Sequence, residues 1–222
     1  MERLLEKFEF EDGVYFQKSL NRKNDFEEKY RMLREKEGRI YTDEEVQNLP
    51  EIKSGHPHRS EWLLRKNSMQ RLLKYVQKKG FKNILDIGCG NGWMSKHLAD
   101  TRAQVIALDI NEFELKQGAR VYSNKKNLQF VYADVLHHPF EKRSFDLIIL
   151  SSSIQYFSDL KLLLEKLNEL LSDDGEIHII DSTIYNDHDA LLARKRSEIY
   201  YNSLGYPGMA SHYFHHSWSS LS

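Results

Sequence analysis

A single cysteine, Cys89, is all that the 222 residues hold. An intrachain disulfide is therefore excluded, and a reducing cytoplasm is the expected setting. Long apolar runs are missing too, since no stretch approaches the roughly 18 residues that a membrane helix needs. The first residues, MERLLEKFEFED, alternate charge with apolar groups and lack both the hydrophobic stretch and the cleavage site of a signal peptide. Charge of either sign is not in excess: 32 lysine plus arginine stand against 33 aspartate plus glutamate. No global field then draws the chain to nucleic acid or to an anionic membrane. The clusters KYVQKKGFK and ARKR read as solvated helix faces, and a nucleic-acid substrate is not expected.

What is present is enough apolar material, 40% of residues, to bury a substantial core. Residues 1–80 read as a helical N-terminal extension with a lead-in helix. In SLNRKNDFEEKYRMLREKEG apolar residues recur at spacings of three and four until Gly38. TDEEVQNLP offers a capping box, Thr42 with Glu45, and Pro50 closes it. HPHRSEWLLRKNSMQRLLKYVQKKG is a long amphipathic helix whose apolar face is expected to use Trp62, Leu63, Met69, Leu72, Leu73 and Val76, stopped by Gly80.

Across residues 81–184 short apolar runs alternate with helix-length polar segments, the pattern of βα units. NILDI, QVIALDI, LQFVYAD, FDLIIL and EIHIID are the strands, with helices near 93–100, 112–122 and 159–171. The expected fold class is α/β, a Rossmann-like, mostly parallel sheet of about five strands with flanking helices. Right-handed crossovers place its sites at the carboxyl ends of the strands. Residues 185–222 read as a helix near 187–204 and an aromatic, histidine-rich tail.

At the end of the first of these strands stands ILDIGCGNGW. Glycines at 88, 90 and 92 permit positive φ and let a ligand approach the main chain. A dinucleotide loop would read G-x-G-x-x-G, but position 93 is Trp, and the Gly-Lys-Ser or Gly-Lys-Thr of a P-loop is missing. Phosphate is not the favoured ligand.

DIGCGNG, residues 86–92, resembles the first motif of class I S-adenosylmethionine-dependent methyltransferases, of the methyltransferase type 11 kind. The resemblance runs over about residues 82–181 through ALDI, YADV and FDLIILSSSIQYF. It implies S-adenosylmethionine as cofactor, held by Asp86, Gly88, Cys89, Gly90, Asn91, Gly92, Asp109, Ile110, Asp134, Val135 and Ser151. Asp109 ends a strand one βα unit after the loop, where a carboxylate accepts both ribose hydroxyl protons. The resemblance gives Asp134 the adenine amino group. Asp86 either helps hold the amino-acid part of the cofactor or orders the loop. Arg65 is either an exposed arginine or a fork for the cofactor carboxylate. Cys89 has no placed base and reads as a small loop-filling residue.

The implied reaction is in-line attack by a small-molecule acceptor on a methyl already activated by a sulfonium, so the protein mainly aligns the reactants. His56 and His58, on a loop able to fold over the pocket, are candidate bases or substrate contacts, or else solvated turn histidines. Tyr156 follows a strand end, which places it near the methyl. Tyr200, Tyr201, Tyr206, Tyr213, Phe214 and Trp218 either line an acceptor pocket or pack against the core. His212 and His215 lack an accompanying cysteine or acid cluster, so no metal is expected.

The family usually adds an antiparallel hairpin after the fifth strand, and none is legible here. That leaves EIHIID as an edge to be covered by the tail, the N-terminal helices or a homodimer partner. A non-catalytic S-adenosylmethionine-binding protein is the alternative function, and a nicotinamide oxidoreductase the less favoured third.

Overall fold

The computed structural model describes residues 2–20, 25–137 and 140–221. The order is α1 (Glu2–Leu5), β1 (Phe8–Glu11), β2 (Val14–Gln17), α2 (Asp25–Lys36), α3 (Asp43–Asn48), α4 (Arg59–Lys79), β3 (Asn83–Ile87), α5 (Trp93–Ala99), β4 (Gln104–Asp109) and α6 (Glu112–Val121). There follow β5 (Leu128–Tyr132), β6 (Phe145–Ser151), α7 (Leu160–Leu170), β7 (Leu171–Ile180) and α8 (Asp187–Ser203). The strands form one seven-stranded sheet in the order β1-β2-β5-β4-β3-β6-β7. Every pairing is parallel except β1 with β2.

The sheet thus has seven strands rather than about five, and the N-terminal extension is not wholly helical. FEFEDGVYFQ is a hairpin: its central Asp12 and Gly13 both take positive φ, +50° and +84°. That is the backbone a two-residue turn needs, and Asp-Gly between alternating apolar residues is its sequence sign. The hairpin extends the sheet beyond β5, with Val14 and Phe16 buried. Among the described residues no strand follows β7, which closes the opposite edge. Glu176 of β7 is gripped from α4 by the Tyr75 hydroxyl at 2.9 Å and by Lys79 at 2.7 Å.

The central strands are covered on both sides, as a parallel sheet demands. Ile84, Val105 and Leu147 pack on one face in a cluster with Trp62, Leu72 and Val76 of α4 and Leu98 of α5. Leu85, Ile106 and Ile148 pack on the other with Leu163 and Leu167 of α7. Local signals hold as read: Thr42 and Glu45 form the reciprocal capping box of α3, and Gly80 ends α4 at φ +74°.

Candidate active site

The carboxyl ends of β3, β4, β5 and β6 open into one cavity of about 990 Å³. Its floor carries Asp86, Gly88, Cys89, Gly90, Asn91, Asp109, Ile110, Asp134, Val135 and Ser151, so the structure brings these expected residues together. Gly92 is not among the lining residues. A Cβ there would stand 2.5 Å from the Phe130 ring, so this glycine makes room for the core and not for a ligand. At Gly88 a Cβ would lie 2.4 Å from that of Ser153, whose hydroxyl donates to the Ile87 carbonyl at 2.7 Å. At Gly90 the bare α-carbon faces the Glu114 carboxylate, whose Oε2 would be 3.3 Å from an added Cβ.

Asp109 organises the loop. Its Oδ2 accepts from Gly90 N–H at 2.7 Å, and its Oδ1 from Ile110 N–H at 2.7 Å and Asn111 N–H at 2.9 Å. Burial still pushes its carboxyl upward against those bonds. Asp86, 1% exposed, takes the Ser95 hydroxyl on Oδ2 at 2.5 Å, while its Oδ1 has no hydrogen-bond partner among the described residues. Burial raises it to about 7, opposed by the Ser95 bond and aided by repulsion from Asp109. Glu114 also rises to about 7, chiefly by burial and then by Asp109, against the pull of Arg34 and Arg65. Asp134 accepts from Leu136 N–H at 2.9 Å and pairs with His137 Nδ1 at 2.8 Å. Burial holds the Cys89 thiol well above its usual range, which leaves it inert.

The roof comes from the two ends of the chain. Glu27 of α2 accepts from Glu112 N–H at 2.6 Å, capping α6 from across the cavity. Arg34 lies 4.6 Å from the Tyr30 ring centroid and donates to Glu37 at 2.7 Å and to the Tyr156 hydroxyl at 2.6 Å. A ladder continues through Arg39, which grips Glu61 at 2.8 Å, to Arg65, which reaches Glu61 at 2.7 Å and lies over Trp62. From the C-terminal side Tyr200, Tyr201, Tyr213 and Phe214 line the same space, as do Tyr185 and His215. Phe214 N–H is sewn to the Gln155 carbonyl at 2.7 Å, and Tyr185 N–H to the His216 carbonyl at 2.9 Å.

His56 and His58 do not reach the cavity. His56 stacks on Tyr41 at 5.7 Å, and its Nδ1 accepts from His58 N–H at 3.1 Å. His58 Nε2 is tied to the Glu37 carbonyl at 2.8 Å, so the loop braces α2 against α4 instead of folding over a ligand. Tyr206 and Trp218 also lie outside the cavity, Trp218 being 65% exposed. Tyr156 and Arg65 do line it. Among the described residues no group of three metal-ligating side chains converges. Glu114, Tyr30, Arg34 and Arg39 were missed from the sequence, because only the long-range docking of α2 and α6 brings them there.

Residues 85–179 match the family described as methyltransferase domain. The middle of this chain is thus similar to a methyltransferase domain. The fold agrees: the YcgJ protein of Bacillus subtilis superposes with a TM-score of 0.60 at 19% identity, over 70% of this chain and 64% of that one. A Bacillus halodurans protein gives 0.58 at 19%, over 70% and 65%. Among curated relatives, malonyl-[acyl-carrier protein] O-methyltransferase of Legionella pneumophila is 31% identical over 42% of this chain and 34% of its own length. Demethylmenaquinone methyltransferase of Staphylococcus saprophyticus is 29% identical over 51% and 50%. The mouse protein named arginine-hydroxylase NDUFAF5 is 34% identical over 46% and 29%. The chain thus spans half or less of the length of these relatives, whose names give different activities. No helix of the described residues is long and apolar enough to cross a membrane.

Proposed function

We propose that the protein binds S-adenosylmethionine in this cavity and transfers its methyl group to a small-molecule acceptor. The observation that carries the reading is the convergence of the glycine loop, Asp109 and Asp134 at the strand ends, with buried acids beside them that want a cation. Asp86 keeps one oxygen without a partner among the described residues at 1% exposure, and with Glu114 it resists ionisation in the protein alone. A ligand bearing an ammonium and a sulfonium fits that deficit.

When bound, the cofactor supplies a methyl group already activated by its positive sulfur. Asp109 then accepts from the ribose hydroxyls and Asp134 from the adenine amino group, with Ile110 and Val135 beside the ring. Gly88, Cys89, Gly90, Asn91 and Asp86 hold the amino-acid end, with Arg65 near its carboxylate. Ser151 and Tyr156 face the reacting groups. The Arg34 bond keeps the Tyr156 hydroxyl oriented, and the tyrosine-rich roof excludes water. A homodimer that covers the unpaired edge of β7 is part of the same proposal.

The test is calorimetric titration with S-adenosylhomocysteine and, as control, a nicotinamide dinucleotide, followed by transfer of labelled methyl to a panel of acceptors. Micromolar binding of the homocysteine compound with a labelled product supports the reading. Binding without any product favours the second reading, a non-catalytic cofactor-binding protein. Preference for the nicotinamide cofactor sinks both.

A further inference from the structure

The large cavity is acidic at its floor, yet a smaller open pocket of about 230 Å³ adjoins it beneath α8 and differs in chemistry. Tyr185, Ser197, Tyr200, Tyr213 and His215 line both spaces, so the two communicate. Arg196 lines only the smaller one, and among the described residues no carboxylate lines it. Its polar groups are a guanidinium, an imidazole and hydroxyls, a set made to donate.

His215 is held in place there. Its Nε2 meets the Ser197 hydroxyl at 2.9 Å, and its ring lies 5.7 Å from that of Tyr185 and 5.1 Å from that of Tyr213. The Tyr200 hydroxyl is spent on Glu37 at 2.7 Å, which leaves Arg196, Ser197 with His215, Tyr185 and Tyr213 as the donors toward a ligand. When protonated, His215 donates from Nε2 to Ser197 and releases the serine proton to donate outward. Without a ligand, burial first, and then Arg194, Arg196 and His216, hold the His215 imidazolium down, the sign of a place short of negative charge.

We propose that this smaller pocket is an oxyanion subsite: it holds the carboxylate or phosphate of the acceptor through Arg196, His215 and Ser197, while the reactive end of the acceptor lies in the main cavity. This rests on the methyl-transfer reading only in calling the ligand an acceptor, since the pocket itself is defined by its donors. The two ends of the joined space then have opposite preferences, a positively charged cofactor over the acids and a negatively charged acceptor under α8.

The experiment uses the whole chain with isotopically labelled histidine, its His215 resonance assigned by His215→Gln, titrated separately with inorganic phosphate and with benzoate. Saturable movement of that resonance by either anion is expected, and the tighter of the two tells phosphate from carboxylate. Arg196→Ala should weaken it by about tenfold, the loss of one charge-assisted hydrogen bond, whereas the neighbouring Lys195→Ala should leave it nearly unchanged. No movement with either anion, or equal weakening by both variants, overturns the subsite. S-adenosylhomocysteine titrated into the same samples separates the two ideas. Its binding should survive Arg196→Ala, and its failure in wild type alongside intact anion binding would end the methyl-transfer reading and leave the subsite standing.

Discussion

The guanidinium of Arg34 donates to the hydroxyl of Tyr156 over 2.6 Å, joining α2 to the turn after β6 across 122 residues of sequence. Its other arm holds Glu37, which in turn accepts from Tyr200 of α8 at 2.7 Å. One arginine thereby locks three separated pieces of chain around the roof.

Tyr156→Phe strands that donor. Because the Arg34 side chain keeps 22% exposure, water relieves part of the loss, and the expected cost is about 1 kcal/mol in denaturant unfolding. If methyl transfer is the activity, kcat/KM falls by more than the affinity for S-adenosylhomocysteine. An equal loss in both would make Tyr156 a purely structural residue.

Asp109→Ala removes the acceptor of three backbone N–H groups as well as the proposed ribose contact. The dissociation constant for S-adenosylhomocysteine should rise at least about tenfold, and more than for Asp134→Ala, whose contact is single. Calorimetry with the folded state checked by circular dichroism measures both. Similar binding by wild type and Asp109→Ala would move the nucleoside elsewhere.

Gly88→Ala meets two separate obstacles, φ at +69° and the Cβ of Ser153 at 2.4 Å. Pairing it with Ser153→Gly relieves the second but not the first. The single variant should lose about 2–5 kcal/mol and the pair should regain part of it, leaving about 1–2 kcal/mol of backbone strain. Thermal unfolding of the single and double variants reads the coupling directly.

Asp86 sets a pH dependence. Its carboxyl lies at about 7 when folded against 3.8 ordinarily, so the folded chain keeps a proton that the unfolded chain releases between those values. Stability therefore falls as pH rises from about 4 to 7, by up to about 4 kcal/mol from this group. Glu114, raised in the same direction, adds to the slope. Asp86→Asn should remove a little over half of what these two acids contribute in urea titrations at several pH values. A slope unchanged by the variant would mean that Asp86 is ionised throughout.

Much of this was legible in the sequence, and the reason is local. β3 to β6 announce themselves because buried parallel strands are largely continuous apolar runs, and Thr42, Gly80 and Gly38 punctuate helices through bonds within a few residues. The hairpin of β1 and β2 carried its Asp-Gly sign too, overshadowed by the charged helical periodicity around it. What no local pattern gives is the roof. Arg34 lies on a helix whose charged surface reads as solvated until it docks on Tyr156, and Glu114 is one of several acids in α6. His56 and His58 misled for the same reason: a histidine-rich turn looks reactive until its partners, Tyr41 and the Glu37 carbonyl, are known.

The placement of β1 and β2 beside β5, with β7 left at the far rim, has a bearing on how such a chain diversifies. The cavity floor is built from the contiguous middle, whereas the roof borrows α2 from one terminus and α8 with residues 213–215 from the other. Substitutions in either flank can therefore reshape the roof while the strand ends beneath it keep their places.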